Sequence, residues 1–132
     1  MKPHILLVDD EAEFRFSAGV ALRKAGFVVT EAGDGSEALS ILVGARFRKA
    51  DPFSLVLTDI RMPRMSGTEL IEGIRGYGIE TPVLVLSGYA DRPMVEKLRA
   101  MGYSNVMEKP FPPEDLVGKI EGILRKANEA VG

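Results

Sequence analysis

LVLTDIRMP, residues 55–63, is an apolar, strand-like run that ends on an aspartate and breaks at once into Arg61, Met62 and Pro63. A run with no polar face suits a strand covered on both sides, as in parallel sheets flanked by helices. HILLV (4–8) and PVLVLS (82–87) have the same character, and FVVTE (27–31) and SNVME (104–108) are further strand candidates. Helix-length stretches lie between them. From Glu11 to Ala25, the residues Phe14, Ala18, Ala21, Leu22 and Ala25 form one apolar stripe. Acids open that segment, Arg23 and Lys24 close it, and Gly26 supplies a left-handed cap.

Asp34 with Glu37 and Ser66 with Glu69 have the spacing of capping boxes, predicting helices that start near 35 and 67. Asp91 is a candidate cap for a fourth helix, and Pro112–Pro113 open a fifth. GARFRKADPF (44–53) reads as a surface loop after the second helix. Five strand–helix units in alternation predict an α/β, doubly wound domain: a parallel sheet with helices on both faces and right-handed crossovers. Residues 1–132 read as one domain.

Composition narrows the function. Apolar residues make up 45 % and charged residues 27 %, a globular balance, and net charge is −2 with Lys and Arg scattered along the chain. A basic face for nucleic acid is not indicated. The absence of cysteine excludes disulfides, cysteine-based zinc sites and thiol catalysis. The apolar run near the N-terminus is four residues long, too short for a signal peptide core or a membrane span. A soluble, cytoplasmic protein is expected.

Ligands of open parallel sheets bind beyond the carboxyl ends of the strands. There the sequence puts Asp9, Asp10 and Glu11 after strand one, Asp59 at the end of strand three, Ser87-Gly88 after strand four and Lys109-Pro110 after strand five. Crowded carboxylates repel one another unless a cation is present. Mg²⁺ suits such a set, with Asp10 and Asp59 as carboxylate ligands, the backbone carbonyl of Arg61 as a third, and Asp9 acting through water. A free carboxylate beside Mg²⁺ is also what phosphoryl transfer onto that carboxylate requires. Asp59 would then be the nucleophile, with Lys109 neutralising one phosphoryl oxygen and the Ser87 hydroxyl hydrogen-bonding another. The side chains of Arg61 and Arg64 read as solvated loop charge, His4 lies at the far end of strand one, and the methionines at 62, 65, 94, 101 and 107 read as packing.

With LLVDDE (6–11), LVLTDIRMPRMSG (55–67), VLVLSG (83–88) and EKPF (108–111), the chain resembles a two-component response regulator receiver domain, of single-domain chemotaxis-regulator size. The resemblance runs over essentially the whole chain, in order. It implies a flavodoxin-like (βα)₅ fold with strand order 2-1-3-4-5, phosphorylation of Asp59 by a kinase phosphohistidine, and a cis peptide at Lys109–Pro110. The implied partners are a sensor histidine kinase or phosphotransfer protein and a downstream protein bound at the helix four–strand five–helix five face, in a monomer or weak dimer. Val106 stands where such receivers usually carry an aromatic residue, and a valine cannot report by the same ring rotation.

Two other readings compete. A pseudo-receiver would keep the fold as a binding module without being phosphorylated, yet it need not retain the acids and the lysine. An enzyme on this fold would show other signatures. DDEAEF (9–14) would repel a flavin phosphate, Arg61 stands where Asp-nucleophile phosphatases usually carry an acid, and no G-x-x-x-x-G-K-[ST] loop occurs. The chemistry is therefore expected to be confined to the protein's own Asp59.

Overall fold

In the computed structural model, which describes residues 2–47 and 53–131, five strands form one parallel sheet in the order β2-β1-β3-β4-β5. The strands are β1 His4–Val8, β2 Val28–Ala32, β3 Leu55–Asp59, β4 Val83–Ser87 and β5 Val106–Glu108. The helices are α1 Ala12–Lys24, α2 Gly35–Phe47, α3 Gly67–Gly76, α4 Arg92–Ala100 and α5 Pro113–Val131, with a short 3₁₀ turn at Tyr89–Asp91. The doubly wound architecture and strand order are those expected. β5 is two residues shorter at its start than SNVME (104–108) suggested.

The continuous apolar runs have a simple consequence. Every residue of β3 and β4 is buried, so side chains alternate between two cores. Leu6, Val8, Val56, Val83 and Val85 face α2, α3 and α4 through Leu42, Leu70, Ile71, Ile74 and Leu98. Ile5, Leu7, Leu55, Leu57, Leu84 and Leu86 face α1 and α5 through Ala18, Leu22, Leu116, Ile120 and Ile123. A one-residue slip would exchange the two sets, so burial fixes the register.

Local signals resolve unevenly. Ser66 and Glu69 form a full capping box. Asp34 accepts from the Glu37 N–H, but Glu37 reaches back to Gly33 rather than to Asp34 itself, so that box is only half formed. Asp91 stands at the N-cap of α4 without capping it, because its carboxylate is engaged elsewhere. The expected 44–53 loop begins later: α2 continues to Phe47, and residues 48–52 lie outside the described residues. Met94 is exposed, whereas Met62, Met65, Met101 and Met107 pack against the cores. The Lys109–Pro110 peptide is cis.

Candidate functional site at the carboxyl edge of the sheet

Registry brings the chemistry together. Val8 pairs with Thr58, Asp59 with Leu86 and Ser87 with Glu108, so Asp9–Asp10, Asp59, Ser87 and Lys109 emerge side by side from four neighbouring strands. β1 is flanked by β2 and β3, the switch point at which the chain reverses its direction across the sheet. Asp9 and Asp59 are buried and Asp10 is exposed. One carboxylate oxygen from each lies within 4.8 Å of the other two.

Lys109 is the cation of this cluster. Its Nζ donates to Asp59 Oδ2 at 3.0 Å and Asp9 Oδ2 at 3.5 Å. The ammonium also lies 4.4 Å from the centre of the Phe14 ring, which meets Phe111 edge-on at 6.2 Å. Burial works against the charge on Lys109, but the hydrogen bond and charge of Asp59, with Asp9 and Glu11 behind it, raise its pKa above the ordinary 10.5. Burial likewise pushes the Asp9 carboxyl above its ordinary value; the Glu11 N–H, at 2.9 Å from Oδ1, and Lys109 oppose that rise, while Asp59 adds to it. The main chain is tied as firmly. The Lys109 N–H donates to the Ser87 carbonyl at 2.8 Å, and Arg15 Nη1 donates to the Asp9 carbonyl at 2.6 Å.

The loop after β3 is held against its neighbours. Gly67 N–H donates to the Ile60 carbonyl at 2.8 Å, and Gly35 N–H donates to the Met65 carbonyl at 3.1 Å. Arg64 adopts a left-handed backbone (φ 64°), and its guanidinium meets the buried Asp34 carboxylate at 2.7 Å. Arg61 Nε donates to the buried Asp91 at 2.6 Å. Neither arginine is simply the solvated loop charge expected from sequence: each is exposed on one side and ion-paired on the other.

Asp9, Asp10, Asp59 and Lys109 therefore converge, Ser87 ends the strand beside Asp59, and His4 does not join them. It lies at the opposite end of β1, where Nε2 is 2.6 Å from Thr30 Oγ1 and the ring packs 4.5 Å from Phe53. In the sequence Phe14 shows only as part of an apolar stripe. The Arg61–Asp91 pair escapes sequence reasoning because its partners are thirty positions apart.

Three carboxylates against one ammonium leave net negative charge in a small oxygen-rich volume. That donor set fits a hard divalent ion such as Mg²⁺ and offers no soft ligand.

Comparison with known proteins agrees. The family model described as response regulator receiver domain matches residues 5–121. The transcriptional regulatory protein FixJ of Bradyrhizobium diazoefficiens is 33 % identical over 129 residues, covering 98 % of this chain and 60 % of that protein. The chain thus spans about three-fifths of that regulator. A probable chemotaxis protein CheY of Rhizobium etli is 30 % identical, with 93 % of each chain covered. A CheY-like receiver domain protein of Methanospirillum hungatei superposes with a TM-score of 0.82 at 30 % identity, covering 98 % of this chain and 99 % of that one. Among the described residues no helix is long and apolar enough to cross a membrane. The chain belongs to the response regulator receiver domain family, a family of two-component signalling proteins rather than of metabolic enzymes.

Proposed function

We propose that this receiver, read as one unit over residues 1–132, takes a phosphoryl group onto Asp59 from the phosphohistidine of a sensor kinase or phosphotransfer protein. One observation carries the reading: the 3.0 Å contact between Lys109 Nζ and Asp59 Oδ2, beside the carboxylates of Asp9 and Asp10. A carboxylate oxygen of Asp59 forms the new P–O bond while the donor's P–N bond breaks, and the bonding pair leaves with the imidazole nitrogen. Lys109 would neutralise charge on one phosphoryl oxygen, and Ser87, at the end of the adjoining strand, would offer its hydroxyl to another.

Asp10, Asp59 and the Arg61 carbonyl would hold Mg²⁺. Asp9, whose oxygens accept from the Glu11 N–H and Lys109 Nζ, would act through water. The ion would supply charge neutralisation for the transferring group and the surrounding acids.

For output, a groove of about 460 Å³ leads from Ser87 and Gly88 between α4 and β5 to Val95 and Val106. We read the α4–β5–α5 face as the surface offered to a downstream protein, in a cytoplasmic monomer or weak dimer that acts by protein contact and not on nucleic acid. With Val106 at the groove, switching does not use rotation of an aromatic ring at that position.

Intact-mass spectrometry after incubation with acetyl phosphate tests the reading. The expected result is one Mg²⁺-dependent phosphoryl adduct, absent from Asp59→Asn. No adduct under any condition would sink the phosphoacceptor and favour a constitutive binding module.

A further inference from the structure

The carboxylate of Asp91 lies almost fully buried at the start of α4 and leaves that helix uncapped by its side chain. One of its oxygens closes the start of the 3₁₀ turn and the other reaches across to the loop after β3. Oδ2 accepts from the Gly88 N–H at 2.7 Å, and Oδ1 accepts from Arg61 Nε at 2.6 Å, while Arg61 Nη2 lies 3.5 Å from the Ala90 carbonyl. The bond to Arg61 is not explained by local capping, since it joins two loops thirty positions apart in sequence.

The two partners of Asp91 are informative. Gly88 follows Ser87 directly, and Arg61 lies two residues beyond Asp59, its own N–H directed at Asp59 Oδ1 at 3.4 Å. The contacts close into a ring. Asp59 leads along the chain to Arg61, Arg61 to Asp91, Asp91 to Gly88 and Ser87, the Ser87 carbonyl to the Lys109 N–H, and Lys109 Nζ back to Asp59. Three strand ends carry the three groups, and within the sheet only backbone pairing relates them. Beyond the sheet, the loops after β3 and β4 are joined by the Asp91 carboxylate.

We propose that Asp91 and Arg61 are a positioning pair that sets the distance between the Ser87 hydroxyl and Asp59, and so the rate of phosphoryl transfer at Asp59. This rests on the phosphoacceptor reading above. Neither side chain reacts. Asp91 fixes the main chain at Gly88, and a charge-assisted bond to Arg61 ties that main chain to the loop carrying the nucleophile. Transfer is chiefly a matter of placement, and misplacement by about 1 Å can cost about a hundredfold.

The test measures first-order uptake from acetyl phosphate, in saturating Mg²⁺, and subsequent loss of the phosphoryl group. It uses wild type, Asp91→Asn, Asp91→Ala, Arg61→Ala and the Arg61→Ala/Asp91→Ala double variant. Asn keeps an acceptor for Gly88 but loses the charge facing Arg61, so it should slow uptake about threefold; Ala loses both bonds and should slow it about tenfold. Because the pair acts as a unit, the double variant should be no slower than Asp91→Ala. Hydrolysis should slow in step with uptake, since both steps use the Ser87 hydroxyl.

A purely structural role would lower the urea midpoint of Asp91→Ala while leaving uptake per folded molecule unchanged, and that result overturns the proposal. Faster uptake in Asp91→Ala or Arg61→Ala would also overturn it, making the pair a cover over the site. If wild type itself takes up no phosphoryl group, the phosphoacceptor reading falls first and the pair loses its reaction with it.

Discussion

Single residues at this edge are set by what surrounds their charges. Asp34 is the simplest case, since it stands outside the cluster of Asp9, Asp10 and Asp59. The Glu37 N–H at its Oδ1 and the Arg64 guanidinium at its Oδ2 stabilise the carboxylate, against an opposing cost of burial, and hold its pKa below the ordinary 3.8. A carboxylate whose pKa is depressed on folding contributes stability above its unfolded value, and that contribution is lost as pH falls through the folded value. Asp34→Asn retains an oxygen for the Glu37 N–H and removes only the charge facing Arg64. The variant should therefore be less stable than wild type by a constant amount from about pH 7 down to about pH 5, with the gap closing below about pH 4. Urea midpoints across that range would show it, and an equal gap at about pH 3 would deny the ion pair its role. The candidate site residues are legible in the sequence because each ends a strand or follows one directly: Asp59 after LVLT, Ser87 after VLVL, Lys109 after VME. The roles of Arg61, Arg64 and Asp91 are not, since nothing local to a loop arginine says which distant acid it will meet.

At the scale of elements, the same termination is used three times among the described residues. After α1, α3 and α4, glycines 26, 78 and 102 adopt positive φ (97°, 70° and 99°). The next residue in each case, Phe27, Ile79 or Tyr103, donates its N–H back to Leu22, Ile74 or Leu98. The chain is thereby turned from helix toward the next strand with an apolar side chain delivered to a core. Gly67 answers a different need, since a Cβ there would stand 2.0 Å from the Asp59 carbonyl oxygen. At Gly26 a Cβ meets nothing within 4 Å, so the cost of Gly26→Ala is backbone alone, about 1–2 kcal/mol. Gly67→Ala must push main chain from main chain directly behind Asp59 and should cost about 3 kcal/mol or more. Chemical denaturation orders the two, and a Gly67→Ala variant as stable as Gly26→Ala would mean that the loop yields freely. The helix starts at 35 and 67 and the cap at Gly26 can be read from sequence because caps are local chemistry. The continuation of α2 to Phe47 cannot, because Ala45 is held in the core by tertiary packing that no capping signal records.

For the whole molecule, the sheet sandwiched between two apolar cores is a rigid frame that carries a concentration of like charge at one edge. Asp9, Asp10 and Asp59 meet only because neighbouring strands end together, and one ammonium, that of Lys109, answers three carboxylates. In the unfolded chain Asp59 is far in sequence from Asp9 and Asp10, so the repulsion is a property of the folded state. A divalent cation bound there binds the folded form in preference to the unfolded one and stabilises it by linkage, by about 1.4 kcal/mol at ten times its dissociation constant. Mg²⁺ should accordingly raise the urea midpoint of wild type, while sodium chloride of matched ionic strength should not. Asp10→Asn removes an exposed member of the cluster that no core packing depends on. Without Mg²⁺ the variant should match or slightly exceed wild type in stability, since one repulsion is gone, and with Mg²⁺ it should gain little. A wild-type midpoint indifferent to Mg²⁺ would remove the metal from the site, and an equal gain in both proteins would move it away from Asp10.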